Sequence, residues 1–532
     1  MATALKARLA FQRVRDEILD QPQSGRAFVA NQFELQLIET DYDGWIKELM
    51  RQLRADEYAP GPIEYCNAPK GDGLVRPGSR MQIADRVVYT AAVGACLKQI
   101  YAATRWSQRA IDFAPRINPD GLSKRHWLLA PFVGWDKWRE ESVRRLEMKK
   151  TRFVLTADIA GFFENISIGI LRSDLVRVGC PHDVITIITR CLSHWAPTDD
   201  RGLPQGVLGS DILAKLYLEA FDHRLKSAGI THVRYADDVR IFCSSEREAR
   251  QALVAVTELL RERGLTLQSA KTLIRPASEL ESEFEGAVPA IKALNRDYID
   301  EAVAAGLVEN DPSVPVSVVD DLANAEPNAM GAGVIRRAFR KFVLRSASPN
   351  RTMRRFILRR LAALNDDTAV DYCADLIISS PETTTEVLRY FEDLKEPKRF
   401  EKGLVTLLKD KDLSMYPYQQ YLVLNWLWRN THTLRRSTMG AVRSLAADGN
   451  APQYVRAVAT ALLGKFGDHS DVENIAALFS RSSDPLERAQ LLCSLVNLEK
   501  GRRNAILARV KTQKPWVDRA SRLVRETPRR RS

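Results

Sequence analysis

The run Val233-Arg234-Tyr235-Ala236-Asp237-Asp238-Val239-Arg240-Ile241-Phe242 decides how this chain is read. Val233 and Tyr235 lead in, and Val239, Ile241 and Phe242 lead out, so β-prone residues flank two adjacent carboxylates. This pattern predicts a tight β-hairpin with the acids at or beside its turn. Other acid pairs, Asp199-Asp200, Asp320-Asp321 and Asp366-Asp367, lie in polar or helical-looking surroundings and are expected to be solvated. Asp237 and Asp238 are hemmed in by apolar strand residues, where they repel one another and lose hydration unless a cation balances them. Hard oxygen ligands that keep some water suit Mg²⁺.

A further acid supplies a partner. Arg152-Phe153-Val154-Leu155-Thr156-Ala157-Asp158 reads as a buried strand ending in a carboxylate, followed by Ile159-Ala160-Gly161-Phe162-Phe163. Three carboxylates from two neighbouring strands could hold two Mg²⁺ ions roughly 3.5–4 Å apart, a geometry suited to in-line phosphoryl transfer. The glycines of Gly202-Leu203-Pro204-Gln205-Gly206 permit a turn that presents backbone N–H groups, and a helix from Asp211 to Leu225 is expected after it.

In this order and spacing, Ala157-Asp158-Ile159-Ala160-Gly161-Phe162-Phe163, Gly202-Leu203-Pro204-Gln205-Gly206 and Tyr235-Ala236-Asp237-Asp238 resemble the palm motifs of reverse transcriptases. Upstream, Ala68-Pro69-Lys70-Gly71-Asp72-Gly73-Leu74-Val75-Arg76-Pro77 with Asp85-Arg86 resembles the fingers motif of the bacterial enzymes. Downstream, Gly264-Leu265-Thr266-Leu267 and Lys271-Thr272 resemble the segment after the catalytic hairpin. The resemblance spans roughly residues 60–275 and implies an α+β fold, the fingers and palm of a right-hand polymerase. It implies catalysis by Asp158, Asp237 and Asp238, which would hold two Mg²⁺ ions. Lys70, Arg76 and Gln205 would hold the incoming nucleotide, a point charge and a planar fork suiting a polyphosphate. Phe163 would lie under the sugar and exclude a 2′-hydroxyl, selecting deoxynucleotides, and Phe162 would face the core. Lys271 could protonate the departing pyrophosphate. By their own chemistry alone, Lys70 and Arg76 read first as an exposed basic loop, and Lys271 reads equally as a surface charge.

The 532 residues allow two to four domains. A net charge of +12 fits a polyanion partner. Seven scattered cysteines, without a Cys-x-x-Cys pair, point to reduced thiols rather than a disulfide framework or zinc site. Met1 to Lys6 lacks a signal-peptide apolar core and no run approaches a membrane span, so a soluble, cytoplasmic protein is expected. Residues 1–55 read as a helical extension broken near Gly44, 56–290 as fingers and palm, and 291–335 as a linker or divergent thumb. Residues 336–515 are helix after helix, and 516–532 a basic tail. Pro452 with Arg456-Ala457, then Pro485 with Arg488-Ala489, suggest a paired-helix repeat that resembles HEAT-like arrays. Neither a primer-grip segment nor a conventional thumb is evident after residue 275.

A palm followed by a helical-repeat domain is similar to the abortive-infection and defence-associated reverse transcriptases of bacteria. That resemblance implies a DNA polymerase of antiphage defence working on deoxynucleoside triphosphates. It also implies DNA or RNA partners, a noncoding RNA among them, and a homo-oligomer, trimeric or hexameric. Several such enzymes make DNA without a template, some starting on their own tyrosine. Tyr372, Tyr390, Tyr416, Tyr418 and Tyr421 are candidates by position, each reading first as a packing aromatic. The alternatives are a templated enzyme copying a partner RNA and a non-catalytic scaffold sensing a phage or host protein. An RNA polymerase is disfavoured by Phe163.

Overall fold

The computed structural model describes residues 5–19, 28, 32–71, 73–119, 127–128, 131–198, 200–286, 289–291, 293–294, 296–297, 332–346, 349–394, 397–410, 416–483, 485–496, 499–508 and 515–526. Asp199, the Asp320-Asp321 pair, residues 298–331 of the expected linker or divergent thumb at 291–335, and the terminal 527–532 lie outside the described residues. The chain divides into two compact units. One comprises Met1–Leu35, Tyr42–Tyr65 and Gly78–Gly286; the other comprises Gln36–Asp41, Cys66–Pro77 and Ala287–Ser532. This partition departs from the expected one: residues 36–41 and 66–77 group with the C-terminal helices.

The first unit is built on a four-stranded antiparallel sheet. Its strands are β3 (Phe153–Asp158), β4 (His232–Tyr235), β5 (Asp238–Cys243) and β6 (Leu273–Pro276), in the order β4-β5-β3-β6. The short β1 (Glu64–Pro69) and β2 (Val75–Arg80) form a separate two-stranded sheet. Residues directly opposite in an antiparallel pair share a face, and side chains alternate along a strand. The register pairs Val154 with Phe242, Thr156 with Arg240 and Asp158 with Asp238. It pairs Val233 with Arg240 and Tyr235 with Asp238. One face therefore begins in apolar residues and ends in carboxylates. Its apolar part joins a cluster of Phe113, Trp138, Val154, Val233, Phe242, Leu280 and Phe284. The opposite face carries Leu155, Ala157, Val239 and Ile241, all buried, together with His232 and Arg234.

The helices up to the end of this unit are α1 (Ala7–Leu19), α2 (Gln32–Glu39), α3 (Tyr42–Arg54), α4 (Ile83–Thr104), α5 (Pro131–Leu146), α6 (Ile168–Arg177), α7 (His182–Trp195), α8 (Leu208–Tyr217), α9 (Glu219–Ser227) and α10 (Glu246–Glu262), of which α5 and α10 pack on the sheet. Asp85 and Arg86, part of the fingers resemblance, are buried anchors. Tyr58 donates to Asp85 at 2.6 Å, and Arg86 pairs with Glu17 at 2.5 Å. Trp135 and Trp138 of the basic helix α5 pack against Tyr235, with ring centroids 5.1 and 5.9 Å away, so part of this helix serves the core.

Several local expectations are corrected. The break expected at Gly44 falls at Thr40 and Asp41 instead, and Gly44 lies inside α3. The single helix expected from Asp211 to Leu225 starts at Leu208 and is interrupted at Leu218, where α8 passes to α9. Phe162 and Phe163 do not continue a strand; they open a one-turn helix, Phe162–Asn165, entered through Gly161 at φ 50. Asp366 is 4 % exposed rather than solvated, held by Arg336 at 2.6 Å and by the backbone and hydroxyl of Thr368.

The C-terminal helices are α11 (Ala332–Phe339), α12 (Arg351–Ala363), α13 (Val370–Ser379), α14 (Thr384–Asp393), α15 (Pro397–Lys409), α16 (Pro417–Asn430), α17 (Arg436–Ala447), α18 (Gln453–Phe466), α19 (His469–Arg481), α20 (Pro485–Cys493), α21 (Lys500–Ala508) and α22 (Pro515–Glu526). The start of the expected basic tail is thus a helix, with Val517, Ala520 and Val524 buried. Packing follows two rows. Helices α12, α14, α16, α18, α20 and α22 each pack on the next of that series, and α13, α15 and α17 form a second row. Cross-contacts join α13 to α14, α15 to α16, α17 to α18 and α19 to α20. Side-chain bonds between successive layers have a matching sequence separation: 30 for Arg336–Asp366, 32 for Arg354–Glu386, 37 for Arg429–Glu392 and 28 for Arg443–Asp471. This is the nearest-neighbour packing of a stacked helical array. Among the described residues no helix is long and apolar enough to cross a membrane. All seven cysteines are buried thiols.

Candidate active site

Two strand ends and one turn bring the acids together. Asp158 closes β3, Asp238 opens β5 directly opposite it, and Asp237 stands in the turn between β4 and β5. The turn is Ala236-Asp237, with Ala236 at φ 55. A two-residue hairpin with positive φ at its first central position matches the right-handed twist of its strands, and glycine usually supplies that conformation. An alanine adopts it at some cost, offset by fixed neighbours. The Ile159 N–H donates to the Asp237 carbonyl at 3.3 Å, and the Gln268 N–H to the Asp158 carbonyl at 2.8 Å. The Ala160 N–H donates to the Thr266 carbonyl at 2.9 Å. These backbone bonds tie the segment after the hairpin to the end of β3.

The electrostatics are those of crowded anions. Burial, then Asp237 and Asp158, push the Asp238 carboxyl up to about 6, against Lys271 and Arg240. The exposed Lys271 Nζ lies 3.3 Å from Asp158 Oδ2. Arg240 stacks between Trp138 and Phe284, its guanidinium carbon 3.6 Å from each ring centroid. Burial holds it down to about 10 despite Asp238 and Glu283. Sequence reading passed over Arg240, although its place two residues after Asp238 puts both on one face.

The arrangement fits a divalent cation of the Mg²⁺ type. Among the described residues no group of three His, Cys, Asp or Glu side chains is placed so as to hold a metal ion, Asp158, Asp237 and Asp238 included. Mg²⁺ does not require one, since it binds through one or two carboxylates and completes its shell with water and substrate phosphates. The donor set is all oxygen, and the raised Asp238 carboxyl is what an added positive charge would relieve.

Phe163 and Gln205 are neighbours. The Leu203 N–H donates to the Phe163 carbonyl at 2.8 Å, docking the Gly-Leu-Pro-Gln-Gly loop on the segment after β3. Gln205 is fixed from both sides. Its carbonyl accepts from the Ser79 N–H at 3.0 Å, its N–H donates to Ser79 Oγ at 3.1 Å, and its amide donates to Glu164 at 3.3 Å. Phe162 is 4 % exposed, whereas Phe163 is only half-buried and packs edge-on against it. Lys70 and Arg76 are exposed and belong to the second unit, near the turn of the β1–β2 hairpin.

Beneath the hairpin lies a buried ionic cluster that sequence reading missed. Arg234 donates to both oxygens of Asp222 at 2.8 Å and lies 3.2 Å from Asp112. It also donates to the Ala236 carbonyl at 3.3 Å. His232 faces Asp222 at 3.3 Å, and Lys215 pairs with Asp112. Burial would raise the Asp222 carboxyl, but Arg234 and His232 bring it below its usual range. Burial would lower the Arg234 guanidinium, but Asp112 and Asp222 outweigh it and raise it. Arg234 points away from the carboxylate face and fixes the turn from behind.

The tyrosine candidates mostly pack. Tyr390 and Tyr421 are buried, Tyr390 donating to the Asp366 carbonyl at 2.6 Å. Burial raises Tyr372, where Arg354 bonds it, and raises Tyr418. Tyr416 caps the start of α16 and is part-exposed.

An antiparallel sheet with paired acids at a β-hairpin, followed by an all-α array, is the architecture of a palm-type nucleotidyltransferase. Residues 68–282 match the family described as reverse transcriptase (RNA-dependent DNA polymerase), and the chain is an enzyme with a reverse transcriptase domain. Among solved structures it is similar to telomerase from Candida albicans in complex with a TWJ fragment of telomeric RNA. That match has 12% identity and a TM-score of 0.32, covering 78% of this chain and 68% of that one. No curated protein matches the chain.

Proposed function

We propose that this protein is a Mg²⁺-dependent DNA polymerase of bacterial antiphage defence, cytoplasmic and oligomeric, with a HEAT-like C-terminal array. The observation that carries the polymerase reading is the register of Asp158 opposite Asp238, with Asp237 on the adjoining turn. In this reading Asp158, Asp237 and Asp238 are the metal ligands. Bound Mg²⁺ would supply charge to a 3′-hydroxyl nucleophile and to the leaving pyrophosphate. Lys271, beside Asp158, holds a proton near the leaving group. Phe163, half-open beside the docked Gln205 loop, excludes a 2′-hydroxyl. Gln205 orients the nucleotide, and the phosphate-holding role of Lys70 and Arg76, which belong to the other unit, rests on the motif resemblance alone. The defence role and untemplated or protein-primed synthesis rest on the likeness of a palm joined to a helical array. They are supported here by the layered packing of α12 to α22.

The test is nucleotide incorporation by purified protein with Mg²⁺, each dNTP and rNTP, with and without RNA, beside an Asp237→Ala/Asp238→Ala control. DNA that stays on protein until protease treatment, made without RNA, supports protein-primed synthesis. Protein-free DNA made only with RNA identifies a templated enzyme copying a partner RNA. No incorporation, or full activity in the double variant, overturns the catalytic reading in favour of a scaffold.

A further inference from the structure

From Ala332 to Leu364 the chain holds ten arginines and lysines and no aspartate or glutamate. On α12, Arg351, Arg355 and Arg359 are exposed and recur every four residues, about 6 Å apart along the axis. Arg389 of the packed helix α14 joins them: burial, Arg389 and Arg355 together hold the Arg359 guanidinium below its ordinary range. Burial, then Arg355, lower Arg351 likewise. The acids within reach do not restore either. Glu386 is taken up by Arg354 at 3.0 Å and Arg355 at 3.1 Å, while Glu382 faces Arg351 and Asp393 faces Arg359. Arg351, Arg359 and Arg389 form no ion pair among the described residues. Like charges one turn apart disfavour a helix. A linear row of exposed guanidinia, with one nearby acid already shared by two arginines, suits an external polyanion.

We propose that the α12–α14 face, centred on Arg351, Arg359 and Arg389, binds the phosphodiester backbone of nucleic acid. The row is linear, as a strand's phosphates are, and planar guanidinia grip phosphate through paired N–H donors. Only the choice of nucleic acid over another polyanion rests on the polymerase reading of the other unit. Backbone contacts carry no sequence preference and give strong salt dependence.

Binding of the full chain to labelled 30-mers of single-stranded DNA, single-stranded RNA and an RNA–DNA duplex would be measured by anisotropy between 50 and 300 mM salt. Nucleotide and divalent metal are left out, so failure of catalysis cannot be mistaken for failure of this site. The Arg351→Gln/Arg359→Gln/Arg389→Gln variant should bind at least one of the three about tenfold or more weakly. Its log–log salt slope should fall by about 2, three contacts at ~0.7 each on a single strand. The control removes three exposed arginines of the other unit, Arg172→Gln/Arg247→Gln/Arg261→Gln, and should leave the slope within about 0.5 of the parent. Equal losses in both variants would reduce the effect to net charge and overturn the proposal. So would unchanged binding in the first, or a parent that binds an acidic protein such as polyglutamate as tightly as nucleic acid. The Arg351→Gln/Arg359→Gln pair, both exposed on α12, repeats the test should the triple variant lose its helical signal.

Discussion

Arg234 donates to the carbonyl of Ala236 at 3.3 Å while both oxygens of Asp222 hold its guanidinium from behind. The turn that presents Asp237 is thereby bonded to a charge with no access to solvent. Removing Asp222 leaves that charge paired only with Asp112. Asp222→Ala should destabilise the protein by about 3–5 kcal/mol, the cost of breaking a buried pair. Urea denaturation followed by far-UV circular dichroism checks this. A loss under about 1 kcal/mol would mean the cluster is hydrated and the turn is held otherwise.

The carboxylate cluster should oppose stability while it serves chemistry. Asp238 ionises at about 6 in the folded protein, against 3.8 for the free group. The folded state therefore holds the proton more tightly, and the stability this contributes is complete below about pH 4. It is lost as pH rises through about 6. In metal-free buffer Asp238→Asn should melt higher than the parent at pH 8, by about 1–3 kcal/mol, with the gap closing toward pH 4. Incorporation should fall to background in the same variant, and Mg²⁺ should raise the parent's melting temperature more than the variant's. A parent as stable as the variant at pH 8 without metal would contradict the crowding.

Phe163→Ala should open space where a 2′-hydroxyl would sit. The ratio of kcat/KM for a dNTP over the matching rNTP should drop by about 10- to 100-fold, with dNTP use falling less. Steady-state kinetics on both nucleotides decide it, and an unchanged ratio would remove Phe163 from sugar selection.

Lys271 lies against Asp158 and is otherwise exposed, so its loss should leave the fold intact. Lys271→Ala is expected to lower kcat by roughly 100-fold with little change in melting temperature, and Lys271→Arg to recover part of the loss. A proportionate rise in KM with kcat preserved would make it a binding group instead.

What the sequence disclosed and what it hid divide along locality. Asp158, Asp237, Asp238 and the Gly-Leu-Pro-Gln-Gly loop stand in short runs whose strand and turn signals are local, and the C-terminal helices follow from apolar spacing. The Asp112, Lys215, Asp222, His232 and Arg234 cluster was not legible. Asp112 and Lys215 are 103 residues apart, and a lone acid in a helix gives no hint of burial. The pause at Leu218 has no glycine or proline to announce it. The last helix did carry a signal, Pro515 at its start and Val517, Ala520 and Val524 at helical spacing, outweighed in reading by the arginines around them.

The ion pairs of the C-terminal array each reach about one layer forward, from Arg336 to Asp366, Arg354 to Glu386 and Arg443 to Asp471. None of these three spans further, so each fastening is a private agreement between adjoining layers. Lengthening a loop in one layer disturbs that layer's own clasp and leaves the others in step. Such a scaffold can change one surface at a time while the acids at the strand ends and turn of the other unit stay fixed.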